Sequence, residues 1–211
     1  MSEFPLYSAG EFRRRALHQN GGPVDLSWRD HGDHLLNPQT ILEVEGQKLR
    51  DAAVLVPVVD DGDDANVIFT LRTSTLRKHS GQISFPGGAI DPDDVSPEMA
   101  AMREAGEEIG LADIFIEPVG RLPDYLASTG FRITPILAVV KPGFELALNP
   151  TEVEDAFEVP LSFLMNPGNH TTDSMVWRGI QRNFYRMPYG QRMIWGITAG
   201  IVRTLYERLY R

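Results

Sequence analysis

The sequence predicts a mixed α/β fold of the α+β kind, built as one domain. Three observations carry this. Apolar runs of strand type recur between residues 52 and 140. One amphipathic helical pattern stands among them, and further helical patterns stand near both ends. At 211 residues the chain is long for one small domain and short for two, so residues 1–211 are read as one elaborated domain. Apolar residues make up 42% and charged residues 23%, a composition able to bury a sizeable core.

The elements follow in order. Glu11 to Gln19 reads as a helix, stopped by Asn20-Gly21-Gly22-Pro23. The polar stretch beyond it, with Ser27, Asp30, Gly32 and Asp33, completes an irregular arm over about residues 1–50. Ala52 to Val59 (AAVLVPVV) is almost continuously apolar and β-branched, hence a buried strand. Asp60 to Asp64 turns the chain, and Asn66 to Leu71 returns as the second strand of a hairpin. Ser96 is a good helix cap, Pro97 suits a first turn, and Gly110 ends the helix. Ile114 to Val119, Ile133 to Val140 and Met175 to Ile180 read as strands. Pro160 to Leu164 reads as a helical turn, and Arg192 to Arg208 as a C-terminal helix. There is no repeat, low-complexity block or linker.

Composition narrows the function. With no cysteine, disulfide and thiolate chemistry are excluded. The start, Met1-Ser-Glu-Phe-Pro, lacks a basic and apolar leader, and no apolar run reaches the ~18 residues of a membrane span. A cytoplasmic protein is expected, without a membrane partner. Net charge is −9, so the overall field does not attract nucleic acid. A small polyanion would need a local basic patch or a metal ion. A homodimer is compatible with all of this.

The chemistry lies between Gly87 and Leu111. On a helical projection Met99, Met102, Ala105 and Ile109 fall on one side, and Glu104, Glu107 and Glu108 on the other. Like charges three or four apart cost a few tenths of a kcal/mol per pair, and carboxylates near a helix C-terminus oppose its dipole. Gly106 inside the helix costs ~1 kcal/mol more relative to alanine. A bound cation would offset these costs. Oxygen ligands without Cys or a nearby His suit a hard ion, Mg²⁺ or Mn²⁺. The plain alternative is a solvated acidic helix face.

Two motifs shift that balance. Arg103-Glu104-Ala105-Gly106-Glu107-Glu108-Ile109-Gly110-Leu111 resembles the end of the Nudix box, R-E-U-x-E-E-x-G-U with U aliphatic, and Gly88 and Asp94 resemble its start. Asp94 stands where the family has Glu, eight residues rather than seven separate it from Arg103, and Ala105 is small for its position. Upstream, Ile68-Phe69-Thr70-Leu71-Arg72-Thr73, Arg77, Gly81 and Phe85-Pro86-Gly87-Gly88 resemble the segment that marks the coenzyme A pyrophosphatase branch of that family. Softer resemblance extends to Asn149-Pro150-Thr151-Glu152-Val153, Val159-Pro160-Leu161 and Ile194 to Ala199.

The resemblance implies a Nudix fold, a mixed sheet sandwiched between helices, with the box at 87–111 forming loop, helix and loop. It implies metal-dependent hydrolysis of a pyrophosphate bond in a nucleotide derivative, with coenzyme A and its derivatives first. The alternatives are another nucleoside diphosphate derivative, such as ADP-ribose or a dinucleotide, and a non-catalytic nucleotide-sensing module. Glu104, Glu107 and Glu108 would hold metal, with Glu107 a third ligand or a base. Arg103 would orient a glutamate by a charge-assisted hydrogen bond. Gly87 and Gly88 would let the backbone pass close to the site. Arg72 and Arg77 would bind substrate phosphates, while their neighbours Lys78 and His79 read as solvent-exposed. Glu152 leads Glu154 and Asp155 as a further catalytic carboxylate. Tyr125, Phe131 and Trp177 could stack on adenine, but aromatics are more often core, and no site is assigned to them.

Overall fold

The computed structural model describes residues 4–21, 24, 31–40, 48–74, 81–177 and 179–211. Helix α1 (Ala9–Ala16) is followed by short 3₁₀ turns at Asp33–Leu35 and Pro38–Thr40. Then come β1 (Arg50–Val59), β2 (Asn66–Arg72), β3 (Ile83–Ser84), β4 (Gly87–Ala89) and α2 (Pro97–Ile109). The next elements are β5 (Ile116–Arg121), β6 (Tyr125–Ala127), β7 (Phe131–Val140), β8 (Val153–Pro160) and α3 (Leu161–Leu164). The chain ends with β9 (Thr171–Trp177), β10 (Ile180–Tyr189), β11 (Arg192–Trp195) and α4 (Ile197–Leu209).

Strand β1 is the axis of the large sheet. It runs parallel to β7 along its whole length, from Arg50 opposite Phe131 to Val59 opposite Val140. Its other edge is shared: β4 pairs with residues 52–54 and β2 with residues 58–59, both antiparallel. Pro57 falls in the gap between them. The Leu55 N–H points to that edge, donating to the Pro86 carbonyl at 2.8 Å. Two residues on, the N–H that proline lacks would face the same edge, so the proline costs no ladder bond. The sheet therefore splits where the loop bearing Gly87 and Gly88 enters.

Both faces of β1 are buried, which is why its sequence does not alternate. Ala53, Leu55 and Val59 pack with Ile136 and Ala138 beneath α2. Ala52, Val56 and Val58 join Phe12 of α1 and Val202 and Leu205 of α4 in the larger core on the opposite face. The sheet is thus sandwiched between helices, as expected. Among the described residues no helix is long and apolar enough to cross a membrane.

Several expected boundaries move. Helix α1 starts earlier than Glu11, because the Ser8 hydroxyl caps it by accepting from the Glu11 N–H. The segment expected as a strand from Met175 to Ile180 is the end of β9, a turn at Gly179, and the start of β10. The C-terminal helix does not begin at Arg192: residues 192–195 pair with β10 as β11, and the helix begins only after Gly196, at a φ of 64°. Residues 113–115 form a 3₁₀ turn ahead of β5. The inward stripe of α2 is Ala100, Ala101, Ala105 and Ile109, with Met99 exposed. Small alanines let the helix lie close to β1, whereas the longer methionines occupy its margin.

Candidate active site

The Gly87-Gly88 loop, helix α2 and the β2–β8 edge meet at one place. In β4, Gly88 lies opposite Ala53 and Gly87 opposite Val54. A Cβ on Gly87 would strike the Ala53 carbonyl oxygen and come within 2.6 Å of the Val54 Cα. A Cβ on Gly88 would strike the Glu104 carboxylate, with its Cδ at 2.5 Å. Backbone contacts therefore hold position 87 to glycine, whereas at Gly88 a side chain would displace the flexible end of Glu104.

Glu108 is the most deeply placed of the three helix glutamates, with 2% of its surface exposed. Its carboxylate accepts the Gly87 N–H at 3.2 Å and Arg72 Nη1 at 3.3 Å. Burial pushes its pKa up to about 7, with the Glu104 and Glu152 charges adding to the rise. Glu104 is half-buried and is also raised, first by desolvation and then by Glu107 and Glu152, against the pull of Arg103. Glu107 is exposed. The three do not form one solvated face: the site carboxylates enter the protein in graded fashion.

Arg103 is the hub of the loop. It grips Asp94 through Nε at 3.1 Å and Nη2 at 2.9 Å, and reaches the Ala89 carbonyl at 3.3 Å. Its Nη1 donates to Glu104 at 3.0 Å and to Glu107 at 3.2 Å. Asp94 is held below the usual carboxylate range by this contact. Its departure from the family residue thus leaves an anchor for Arg103. The forked guanidinium joins the incoming loop to two of the glutamates, which is the orienting part expected of it.

Glu152 reaches the site from the far side. The segment 147–149 caps the end of α2, the Ala147 and Asn149 N–H groups donating to the Ile109 and Glu108 carbonyls at 2.9 Å each. Glu152 then leads into β8, which aligns Val153 with Arg72. Its side chain is held by Asn149 at 3.3 Å. Asp155 turns away to Arg192, at 2.6 Å. Glu154, one residue before it on β8, is exposed. Arg72, Gly87, Gly88, Arg103, Glu104, Glu107, Glu108 and Glu152 are therefore gathered by the fold. Arg77, with Lys78 and His79, lies outside the described residues.

Carboxylate oxygens with mutually raised proton affinity suit a hard divalent cation, because a cation relieves the repulsion that burial amplifies. The close seating of Glu104 against Gly88 agrees with a site compressed around small groups. Among the described residues no three His, Cys, Asp or Glu side chains converge at metal-binding spacing. Glu104 and Glu107 are turned onto Arg103, and Glu108 onto Arg72 and the loop N–H. The residues fit a cation in donor chemistry and charge, with those carboxylates engaged by arginines.

A cavity of about 260 Å³ opens beside the loop, lined by Arg50, Arg72, Gly87, Gly88 and Phe131 among others. Arg50 carried no motif and was not foreseen; its guanidinium lies 4.2 Å from the centre of the Phe131 ring. Of the other aromatic candidates, Tyr125 is core, its hydroxyl donating to Asp33 at 2.8 Å. Trp177 lines a second cavity formed by the unforeseen β9–β10–β11 sheet.

Comparison with known proteins places the sequence in a family. The NUDIX domain family model matches residues 49–176. The uncharacterized Nudix hydrolase NudL of Citrobacter koseri is 39% identical over 173 residues, covering 81% of this chain and 88% of that one. Its counterpart in Escherichia coli is 37% identical over 171 residues, with the same coverage. A solved structure from Deinococcus radiodurans, DR0079, aligns with a TM-score of 0.49 and 14% identity over 77% of this chain and 83% of that one. With a family match over most of its length and relatives at this identity, the chain belongs to the Nudix family.

Proposed function

We propose that the protein hydrolyses the pyrophosphate bond of coenzyme A and its derivatives. Water adds to one phosphorus, the anhydride P–O bond breaks, and the products are 3′,5′-ADP and 4′-phosphopantetheine. Glu104, Glu107 and Glu108 would hold Mg²⁺ or Mn²⁺. The ion, when bound, supplies charge neutralisation and a more acidic water. Arg103 positions Glu104 and Glu107 through its fork. Glu152 carries a carboxylate toward the same place and is the candidate for taking the proton. The observation that carries the reading is the coupling of Glu104, Glu108 and Glu152 beside a glycine loop that leaves room for them.

Coenzyme A is favoured among diphosphates by Arg72, which belongs to the branch-type segment and lines the cavity beside the loop. Because Arg72 also donates to Glu108, Arg72→Ala is expected to slow every substrate. Its distinctive effect is on preference. If the guanidinium grips the 3′-phosphate, the kcat/KM advantage of coenzyme A over the form lacking that phosphate should shrink by roughly 1.5–3 kcal/mol, the scale of a hydrogen bond to a charged group. Paired kcat/KM measurements check this. An unchanged ratio would place Arg72 on the shared pyrophosphate or on Glu108 alone.

A further inference from the structure

The loop-side cavity does not end at Arg72. Gln82, Thr129, Ile197 and Thr198 line both it and the second cavity, of about 330 Å³, so the two adjoin. The pair falls within the size range of pockets that hold small ligands, ~300–1,000 Å³. Their walls differ. Nearest the loop stand the cations Arg50 and Arg72. Farther on stand Trp177, Phe184 and Trp195, with Arg182 and Asn183. Phe184 and Trp195 pack at 5.3 Å between ring centres and are half-buried, and Trp177, at the end of β9, is 42% exposed.

Leaving the glycine loop, a ligand meets Arg50 and Arg72 with Phe85 and Phe131 beside them, and then the three rings of the second cavity, where Arg182 is the one cation among the lining residues. A nucleotide has that order: diphosphate, phosphorylated ribose, then a planar base. An aliphatic amide arm has neither the second charge nor the planar end. We infer that the nucleobase half of the substrate runs from the Gly87-Gly88 loop past Arg72 and stacks in the slot formed by Trp177, Phe184 and Trp195. The inference rests on the proposed nucleotide substrate, and it assigns the β9–β10–β11 sheet to substrate binding. Stacking on an aromatic side chain is sequence-tolerant and favourable for any base.

The test is binding of two separate probes, 3′,5′-ADP and 4′-phosphopantetheine, to the full-length wild type, Trp177→Ala and Trp177→Phe by calorimetry. Trp177 is partly exposed at a strand end, so its loss should leave the fold intact, and a thermal melt on each preparation verifies this. Trp177→Ala should weaken 3′,5′-ADP about tenfold or more and leave 4′-phosphopantetheine unchanged. Trp177→Phe, which keeps a stacking ring, should recover most of the affinity. The slot is overturned if wild type does not bind 3′,5′-ADP, if Trp177→Ala binds it as well as wild type, or if 4′-phosphopantetheine is the probe that weakens. Failure of the hydrolytic reading looks different: 3′,5′-ADP binding would depend on Trp177 while coenzyme A stayed uncleaved.

Discussion

Glu108→Gln is expected to lower kcat at saturating Mg²⁺ by a hundredfold or more, ~2.7 kcal/mol of transition-state stabilisation, while the fold survives. Glutamine keeps the volume and one acceptor oxygen for the Gly87 N–H or Arg72, but it loses the charge a cation needs. The same substitution should change the pH dependence of stability in the metal-free protein. The folded pKa of Glu108, about 7, lies above the ordinary carboxylate value because of burial. A raised carboxylate favours the folded state most below the unfolded pKa, and that contribution is lost as pH rises through the folded value. Wild type should therefore lose thermal stability, relative to Glu108→Gln, as pH rises from about 4.5 to about 7, with little further loss above that, and the difference should be constant below about pH 4.5. Turnover within about tenfold of wild type, ~1.4 kcal/mol, would show that Glu108 is not an essential ligand.

Arg15→Ala is expected to be among the most destabilising single changes away from the site. Glu11 is completely buried in α1, and its carboxylate is held by Arg14 at 2.6 Å and Arg15 at 2.7 Å. Arg15 also donates to the Leu209 carbonyl at 2.7 Å and lies 4.8 Å from the centre of the Tyr210 ring. It thus fastens the first helix to the end of the last. Removing it takes one of the paired cations from a fully buried carboxylate. Breaking a buried pair in this way costs about 3–5 kcal/mol. Arg15 is itself 24% exposed, so the lower end, ~3 kcal/mol, is expected, a fall in Tm of roughly 6–12 °C for a chain of this length. Differential scanning calorimetry checks it, and a shift under ~2 °C would show the pairing to be dispensable. Activity below the melt should be little changed, because α1 lies on the face of the sheet opposite α2.

Legibility in the sequence tracked how local the cause was. Ser96, Pro97 and Gly110 bound α2 by their own backbone preferences, and the structure has the helix between them. The apolar run of β1 announced a buried strand and that of β7 a further strand, but their parallel pairing was not foreseen. Helix spacing put Glu104, Glu107 and Glu108 on one face, and the resemblance to the Nudix box, not spacing, singled out Arg103 beside them. What failed was tertiary. Arg192 to Trp195 has helix-compatible residues, but pairing with β10 holds it extended, and Gly196 supplies the break. The β9–β10 hairpin was read as one strand because Gly179 was not weighed as a turn. Without that hairpin, the aromatic cavity and its continuity with the loop could not be foreseen. The depth of Glu108 was also hidden, since a helical projection does not say how far the neighbouring β4 loop overhangs a residue.

The most direct test is incubation of the full-length protein with coenzyme A and Mg²⁺ or Mn²⁺, with products identified by mass, beside ADP-ribose, a dinucleotide, and coenzyme A lacking its 3′-phosphate. The account expects 3′,5′-ADP and 4′-phosphopantetheine in equal amounts, abolition by a chelator, recovery on adding metal back, and the highest kcat/KM for coenzyme A. Turnover of ADP-ribose or a dinucleotide in preference to coenzyme A, or no metal-dependent cleavage of any of them, would contradict it.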